Sequence, residues 1–262
     1  MKSLGVLRTI TTYRELIGEL AAREIKARYK QSVLGYAWVM LSPLCQMIVM
    51  AFVFSTLLRV NITGTTYPLF LYVGLLPWTL FAGSLQSSTG VLIDNSSLIR
   101  KIYFPRELFV LSTMIAKLVD FFLASTVFIL FFLYFGQPAH WTIIAFFPLL
   151  AIQFIFTYGL SLIFAASNLL YRDIQYVLNL GLMVWLYMTP VMYPPDIMPE
   201  SYGLLNRINP MAQFVTAYRQ TVLFGELPSL GSVLWMLTLA LGTLAIGHLF
   251  FKKMEGIFAD IV

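Results

Sequence analysis

The chain has 262 residues, of which 59% are hydrophobic, 16% aromatic and only 11% charged, with a mean hydropathy of +0.81. Soluble domains run at roughly 45–50% apolar and about 25% charged, so this composition excludes a soluble fold and describes a membrane protein. One cysteine, Cys45, excludes a disulfide framework or a Cys-rich metal site, and two distant histidines, His140 and His248, leave little for imidazole ligation of a metal.

The net charge of +5 sits beside apolar segments, which reads as membrane topology and not as a nucleic-acid surface. The first thirty residues carry seven Lys/Arg and no apolar core of signal-peptide length, so no cleavable leader is expected. They read as an amphipathic helix. Val6, Ile10, Tyr13, Ile17 and Leu20 recur at steps of four and three, while Arg14, Glu15, Glu19, Arg23 and Glu24 take other faces. Such a helix (residues 1–32) lies at the inner interface, either as a surface for another protein or as a basic flank that sets topology.

Residues 33–262 hold six segments near the roughly 20 residues that a bilayer core of about 30 Å requires. They are Val33–Leu58, Tyr67–Ile93, Leu108–Phe135, Thr142–Ser167, Tyr176–Tyr193 and Gly231–Phe251. Thirteen of the 17 Lys/Arg fall on the N-terminal side of this arrangement and three (Arg59, Arg207, Arg219) on the other, with Lys117 inside a span. The positive-inside rule then places both termini in the cytoplasm. Two readings of Lys117 and Asp120 fit the third span. They pair at i, i+3 on a face that lines a cavity, or the span begins later and Lys117 snorkels to the interface.

Between the second and third spans, Asn95 or Ser96 can cap a short helix through Ile102, and Pro105 starts the next helix. This helix offers Leu98, Ile99, Ile102 and Tyr103 beside Arg100 and Lys101, as a docking element or as a connector resting on the bilayer. Between the fifth and sixth spans, Asn209-Pro210 caps a helix that stops near Gly225, with Met211, Phe214, Val215, Tyr218 and Val222 along one side. At about fourteen residues it is too short to span, so it is either re-entrant or flat on the outer surface, with a shorter helix near Glu200–Asn206 before it.

Motifs for chemistry are missing. No G-x-x-x-x-G-K-S/T loop, H-E-x-x-H, G-x-S-x-G or D-x-D pair occurs. His140 lies in a short outer turn, where it is expected to be solvated, and His248 near a helix end. Few intramembrane charges argue against a proton- or sodium-coupled carrier. Transport, if active, draws its energy from a separate chain, and no metal or cofactor is expected in this one.

An ordered set of segments carries a resemblance: Asn95-Ser-Ser-Leu-Ile-Arg-Lys-Ile-Tyr-Phe-Pro-Arg-Glu107, Tyr171-Arg-Asp-Ile174, Thr189-Pro-Val-Met-Tyr193, Asn209-Pro210, Tyr218-Arg219 and Phe251-Lys-Lys-Met-Glu-Gly-Ile-Phe-Ala-Asp260. Together they resemble the membrane subunit of type-2 ATP-binding cassette polysaccharide exporters, the O-antigen branch in particular. The resemblance implies an all-α fold of six transmembrane helices, working as a homodimer with two copies of a separate ATPase that holds ATP and Mg. Asn95–Phe104 would be the coupling helix, residues 1–32 an interface helix beside it, and the hairpin within Pro194–Phe224 an outer gate that includes Met211, Phe214 and Tyr218. The substrate would be a lipid-linked polysaccharide. Its polyprenyl pyrophosphate would meet a basic rim of Arg23, Arg28 and Lys30, and its sugars an aromatic lining of Tyr36, Trp38, Trp185, Tyr187 and Tyr193. Exporters of teichoic acid, capsule, lipid or drug would share the architecture. A glycolipid-modifying membrane enzyme would need catalytic residues that the sequence does not offer.

Overall fold

The computed structural model describes residues 11–30, 32–60, 62–101, 104–195 and 203–258, and these are helical with short connections. In chain order the helices are α1 (Arg14–Tyr29), α2 (Ala37–Ala51, continued by a π-helical turn Phe52–Leu57), α3 (Tyr67–Asp94), α4 (Ser96–Lys101) and α5 (Glu107–Tyr134). A 3-10 turn, Trp141–Ala145, leads into α6 (Phe146–Leu170). Then follow α7 (Ile174–Met188), α8 (Gly203–Ile208), α9 (Pro210–Arg219, extended by a π turn Gln220–Phe224) and α10 (Leu230–Glu255). Val6, Ile10, Ile102 and Tyr103 lie outside the described residues, as does the first part of the helix expected near Glu200.

Five helical stretches are long and apolar enough to cross a membrane: Ala37–Leu57, Tyr67–Asp94, Glu107–Tyr134, Trp141–Leu170 and Leu230–Glu255. At the expected span Tyr176–Tyr193 the helix is shorter than expected, since α7 stops at Met188 after 15 residues. Thr189 precedes Pro190, a position that disfavours the α region, and proline offers no N–H to continue the ladder. Thr189 is accordingly extended, with φ −100° and ψ 132°.

α3 is the central post, buried along most of its length and flanked by α2, α5, α6, α7 and α9. Its 28 residues rise roughly 42 Å at about 1.5 Å each, so contacts along it give the depth of everything else. Near its Asp94 end sit α1, α4 and the ends of α6 and α10. Near Tyr67 sit the connections after α2 and α5 and the far end of α9, tied by Thr65 Oγ1 to Gln137 Oε1 (3.2 Å), Gln137 Nε2 to the Leu223 carbonyl (3.2 Å) and Thr142 Oγ1 to the Thr221 carbonyl (2.7 Å). At this end His140 is not simply solvated. Its ring lies over Gly225, where a Cβ would come within 2.7 Å, and Gly225 itself needs the left-handed φ of +70° that closes the turn.

α6 and α10 cross at glycine on glycine. A Cβ on Gly247 would collide with the Gly159 backbone carbonyl, and one on Gly159 with the backbone of Thr243 and Leu244. Small residues let helix backbones approach closely where hydrocarbon supplies no hydrophobic drive. The apolar interior divides in two. One core surrounds Leu69, Tyr72, Phe81, Phe156, Phe214 and Tyr218, and the other gathers Ile17, Leu20, Ile99, Phe109, Phe251 and Phe258 at the α4 end.

Candidate coupling surface and membrane pathway

Three elements close around α4. Asn95 ends α3, its amide donating to the Val91 carbonyl (2.8 Å) and its carbonyl accepting from the backbone N–H groups of Leu98 (3.0 Å) and Ile99 (3.1 Å). Arg23 of α1 donates to Asn95 Oδ1. Phe104, on the far side, packs against Phe109 with the rings tilted and their centroids 5.1 Å apart. Expected among the presented apolar residues, Ile99 is instead turned inward and buried with Ile17, Leu20 and Phe109. Leu98 is half-buried, Ser97 and Arg100 are exposed, and Lys101 closes the helix. The inward turn follows from the helical period, since a six-residue helix on a packed core must give one side to that core.

The following residues tie α5 to α10. The Arg106 backbone N–H donates to Glu255 Oε1 (3.1 Å), and its guanidinium donates to the Glu255 carbonyl while lying over the Phe258 ring. Glu107, its side chain only 5% exposed, has His248 Nδ1 at 3.3 Å and Lys252 Nζ at 3.5 Å. The Phe-Pro-Arg-Glu run of the sequence is therefore a joint between the short helix and the C-terminal span.

α1 is stapled to α5 by charge. Glu24 accepts from Thr113 Oγ1 (2.6 Å) and from Arg28 (2.9 Å), and Arg28 also donates to Asp120. Lys117 Nζ stands 3.9 Å from Asp120 Oδ2. Of the two open readings of Lys117 and Asp120, the structure agrees with the first: they pair on one side of α5 and line a cavity between α2, α3 and α5, with Asp120 also tied to α1 through Arg28. Of the expected rim, Arg23 is exposed and donates to Asn95, Arg28 is half-buried with Glu24 and Asp120, and Lys30 is exposed with no partner among the described residues.

The second group of contacts lies deeper. α9 begins at the level of Trp78 and climbs beside α3 to the level of Phe70. Asn209 caps it, accepting from the backbone N–H groups of Met211 (3.1 Å) and Ala212 (3.4 Å). The same oxygen accepts from Trp185 Nε1 (2.8 Å), and the Asn209 amide donates to the Met188 carbonyl (3.2 Å) and Thr189 Oγ1 (3.0 Å). Trp185 packs edge-on against Phe81 and Trp78. Trp185, expected in the lining, thus faces into its own subunit with its N–H engaged. Met211, Phe214 and Tyr218, expected at the outer gate, are fully buried, and Tyr218 donates to Gln153 Oε1 (2.9 Å), whose amide donates to the Pro77 carbonyl (2.8 Å).

Arg219 ends α9 and is 3% exposed. Its guanidinium donates to the carbonyls of Phe70 (3.2 Å), Pro190 (2.5 Å) and Val191 (2.6 Å) and lies 3.5 Å from the centre of the Phe70 ring. Gly74 makes room for it, since a Cβ there would come within 2.8 Å of Nη2. Tyr67 donates to the Met192 carbonyl (2.5 Å). The backbone that leaves α7 without helical partners is thereby satisfied by one buried cation and one phenol, as buried non-helical chain requires. The sequence places Arg219 among the three far-side cations and in the Tyr218-Arg219 segment but gives no sign of its burial except that it follows Val215 by four residues on the buried side of α9.

Of the remaining expected lining, Tyr36, Trp38 and Tyr187 are about half exposed or more (49%, 50% and 60%), and Tyr193 is half-buried with its hydroxyl on the Tyr187 carbonyl (2.8 Å). The outward faces of α2 and α7, with Ile48, Val49, Leu180, Met183 and Val184, are likewise uncovered.

Residues 15–223 match the family described as ABC-2 type transporter. The chain is 33% identical over 250 residues to an O-antigen export system permease protein of Klebsiella pneumoniae, covering 95% of each. It is 34% identical over 227 residues to the corresponding permease of Myxococcus xanthus, covering 86% of each. A polysialic acid transport protein of Escherichia coli is 26% identical over 241 residues, covering 90% of this chain and 92% of the relative.

Proposed function

The chain belongs to the ABC-2 type transporter family, and on that premise we propose that it is the membrane subunit of an ATP-driven exporter of lipid-linked, O-antigen-like polysaccharide. Identity of 33–34% over most of the chain to permeases named for O-antigen export supports this substrate class. The protein is multi-pass and carries no ATPase motif. ATP and Mg belong to a separate partner, two copies of which meet two copies of this chain in a bacterial inner membrane, with both termini cytoplasmic.

The observation that carries the reading is the joint around α4. A short helix whose exposed side is Ser97 and Arg100 is braced by α1 through Arg23, by α5 through Phe104, and by α10 through Arg106 and Glu107. A push on such a helix reaches three elements together, which is what an ATPase closing on ATP needs in order to move a membrane domain. The sixth crossing is completed by α7 plus the extended residues 189–195, and α9 is the rising arm of a re-entrant hairpin. Six crossings enclose no wide path of their own. The uncovered faces of α2 and α7 therefore meet across a two-fold axis, where Tyr36, Trp38 and Tyr187 offer weak, repeated contacts to a sliding glycan.

Deletion of the chain tests the reading: lipid-linked polymer accumulates on the cytoplasmic face and surface polysaccharide is lost. Normal surface polymer in the deletion strain would remove the substrate assignment. Leu98→Asp in an otherwise intact chain is expected to abolish copurification of the ATPase. Retained assembly and export would remove the docking role of α4.

A further inference from the structure

A cavity of about 230 Å³ opens between α2, α3 and α5, far larger than the roughly 30 Å³ share of one water. Trp38, Ser42 and Gln46 line it from one side of α2, Thr79 from α3, and Lys117 and Asp120 from α5. Thr79 is twelve residues along α3 from Tyr67, or roughly 18 Å, which puts the cavity near the middle of the central post. At that depth polar groups are expected to be satisfied inside the protein. Here Ser42, Gln46 and Lys117 make no hydrogen bond among the described residues, and Lys117 has only the ion pair at 3.9 Å. Val39, Pro43, Leu80, Phe121 and Ala124 complete the lining, so polar and charged groups stand beside apolar ones.

We propose that this cavity is a binding subsite for one hydroxyl-rich sugar unit of the exported glycan; the proposal rests on the polysaccharide-export reading above. The charge balance selects the occupant. Arg28 and Lys117 are matched by Glu24 and Asp120, so the site has no surplus positive charge for a phosphate, and a lining that mixes an ion pair with apolar residues suits a sugar, with its hydroxyls and C–H faces, better than an acyl chain. A hydroxyl is both donor and acceptor. One hydroxyl placed in the 3.9 Å gap between Lys117 Nζ and Asp120 Oδ2 accepts from the ammonium and donates to the carboxylate at ordinary lengths of about 2.7–3.0 Å. Gln46 can serve a neighbouring hydroxyl with either end of its amide. Trp38, half exposed at the rim, supplies an aromatic face for the C–H side of the ring. The site lies directly beside the staple that fixes α1 to α5, so Asp120, and through it Lys117, is tied to the element that reaches α4.

The test uses the whole transporter in cells that make the polymer. A photo-crosslinking p-benzoylphenylalanine replaces Trp38, and in parallel strains Tyr187 or the exposed Leu249 on α10. The purified chain is then probed for attached glycan. The expected result is a glycan adduct at position 38, absent at position 249 and absent when polymer synthesis is switched off. Gln46→Leu, which touches none of the staple, lowers that adduct by about two- to tenfold, the worth of one hydrogen bond, with the amount of chain in the membrane unchanged. Absence of an adduct at position 38, or a yield indifferent to Gln46→Leu, overturns the subsite. An adduct at position 187 alone would do so while leaving export intact. The deletion phenotype separately decides the export reading itself.

Discussion

Replacing Arg219 by methionine isolates the contribution of the buried guanidinium at nearly constant volume. Two effects compete. Removing a charge from a site that is 3% exposed returns a desolvation cost of several kcal/mol. Against this, the carbonyls of Pro190 and Val191 lose donors in a segment with no helical alternative, at about 1–3 kcal/mol for each buried group left unsatisfied. The charge-assisted bonds and the contact with the Phe70 ring are lost as well. Phe70 itself sits in the α3 ladder and keeps an intrahelical partner. Because the native cation is already compensated by three carbonyls and a ring, the orphaned carbonyls win, and the expected cost is about 2–4 kcal/mol.

Thermal unfolding of the purified protein in detergent, followed by loss of the monodisperse peak in size-exclusion chromatography, reads this as a fall in Tm of roughly 5–15 °C. Arg219→Lys should fall between the two, since one ammonium cannot serve three diverging carbonyls. Gly74→Ala forces a methyl to within 2.8 Å of Nη2 and 3.2 Å of Val215 Cγ1, costing about 1–3 kcal/mol. In the Arg219→Met background most of that obstruction is gone, so the two changes are non-additive by about 1 kcal/mol or more. A melting point for Arg219→Met within about 2 °C of the native protein, with Gly74→Ala strictly additive, would refute the clamp.

Gly247→Ala should cost about 1–3 kcal/mol by driving α10 off the Gly159 carbonyl. Gly242→Ala, with open space around it, should be neutral or stabilising by up to about 1 kcal/mol; paired thermal melts decide, and equal effects would sink the crossing argument. Asp120→Ala leaves Arg28 and Lys117 facing each other without their shared carboxylate, so α1 should loosen and trypsin should cut faster around Lys26–Lys30. Adding Lys117→Met should restore part of the protection, and unchanged proteolysis in the single variant would show that the staple does not hold α1. Trp185→Phe keeps the ring against Phe81 but removes the donor to Asn209, at about 1 kcal/mol in the same melt; a larger effect on export than on stability would return Trp185 to the pathway.

The parts of the fold that the sequence reveals are those set by local chemistry. Runs of apolar residues locate the five long apolar helices within a few residues, and Asn209-Pro210 and Gly225 mark the ends of α9 and its π turn. The missed end of α7 was also local: Thr189-Pro190 is a helix-stopping pair, but apolar residues on both sides of it mask the stop in a hydropathy window. What stayed hidden depends on partners distant in sequence. Lys117 and Asp120 could be seen to share a face of α5, but not that α1 brings Glu24 and Arg28 to them across about ninety residues. For the same reason Arg23 and Arg28 looked available to a ligand. Composition reports that a cation is present and says nothing about which carboxylate or amide has taken it.

The long-range contacts suggest how the two ends communicate. α1 touches the residue that leads into α4 through Arg23 and Asn95, and one helical turn later touches the middle of α5 through Arg28 and Asp120. It is therefore a lever with one arm at the joint and the other beside the cavity that Trp38, Gln46 and Lys117 line. α10 makes the parallel connection, from Glu255 at the joint to Gly247 against α6. At the far end the extended residues after α7 are held to α3 and α9 by Arg219 and Tyr67, so they move with the hairpin or not at all. A displacement of α4 thus has two packed routes to the foot of α2 and the flank of α6, and neither crosses the Arg219 clamp. If ATP-driven motion follows these routes, loosening α1 with Asp120→Ala should uncouple ATP hydrolysis from export. Arg219→Met should then lower the stability of the half around Tyr67 while hydrolysis stays coupled in the protein that remains folded. Measured in one reconstituted transporter, the reverse pattern would place the moving boundary at α9 and leave α1 a passive brace.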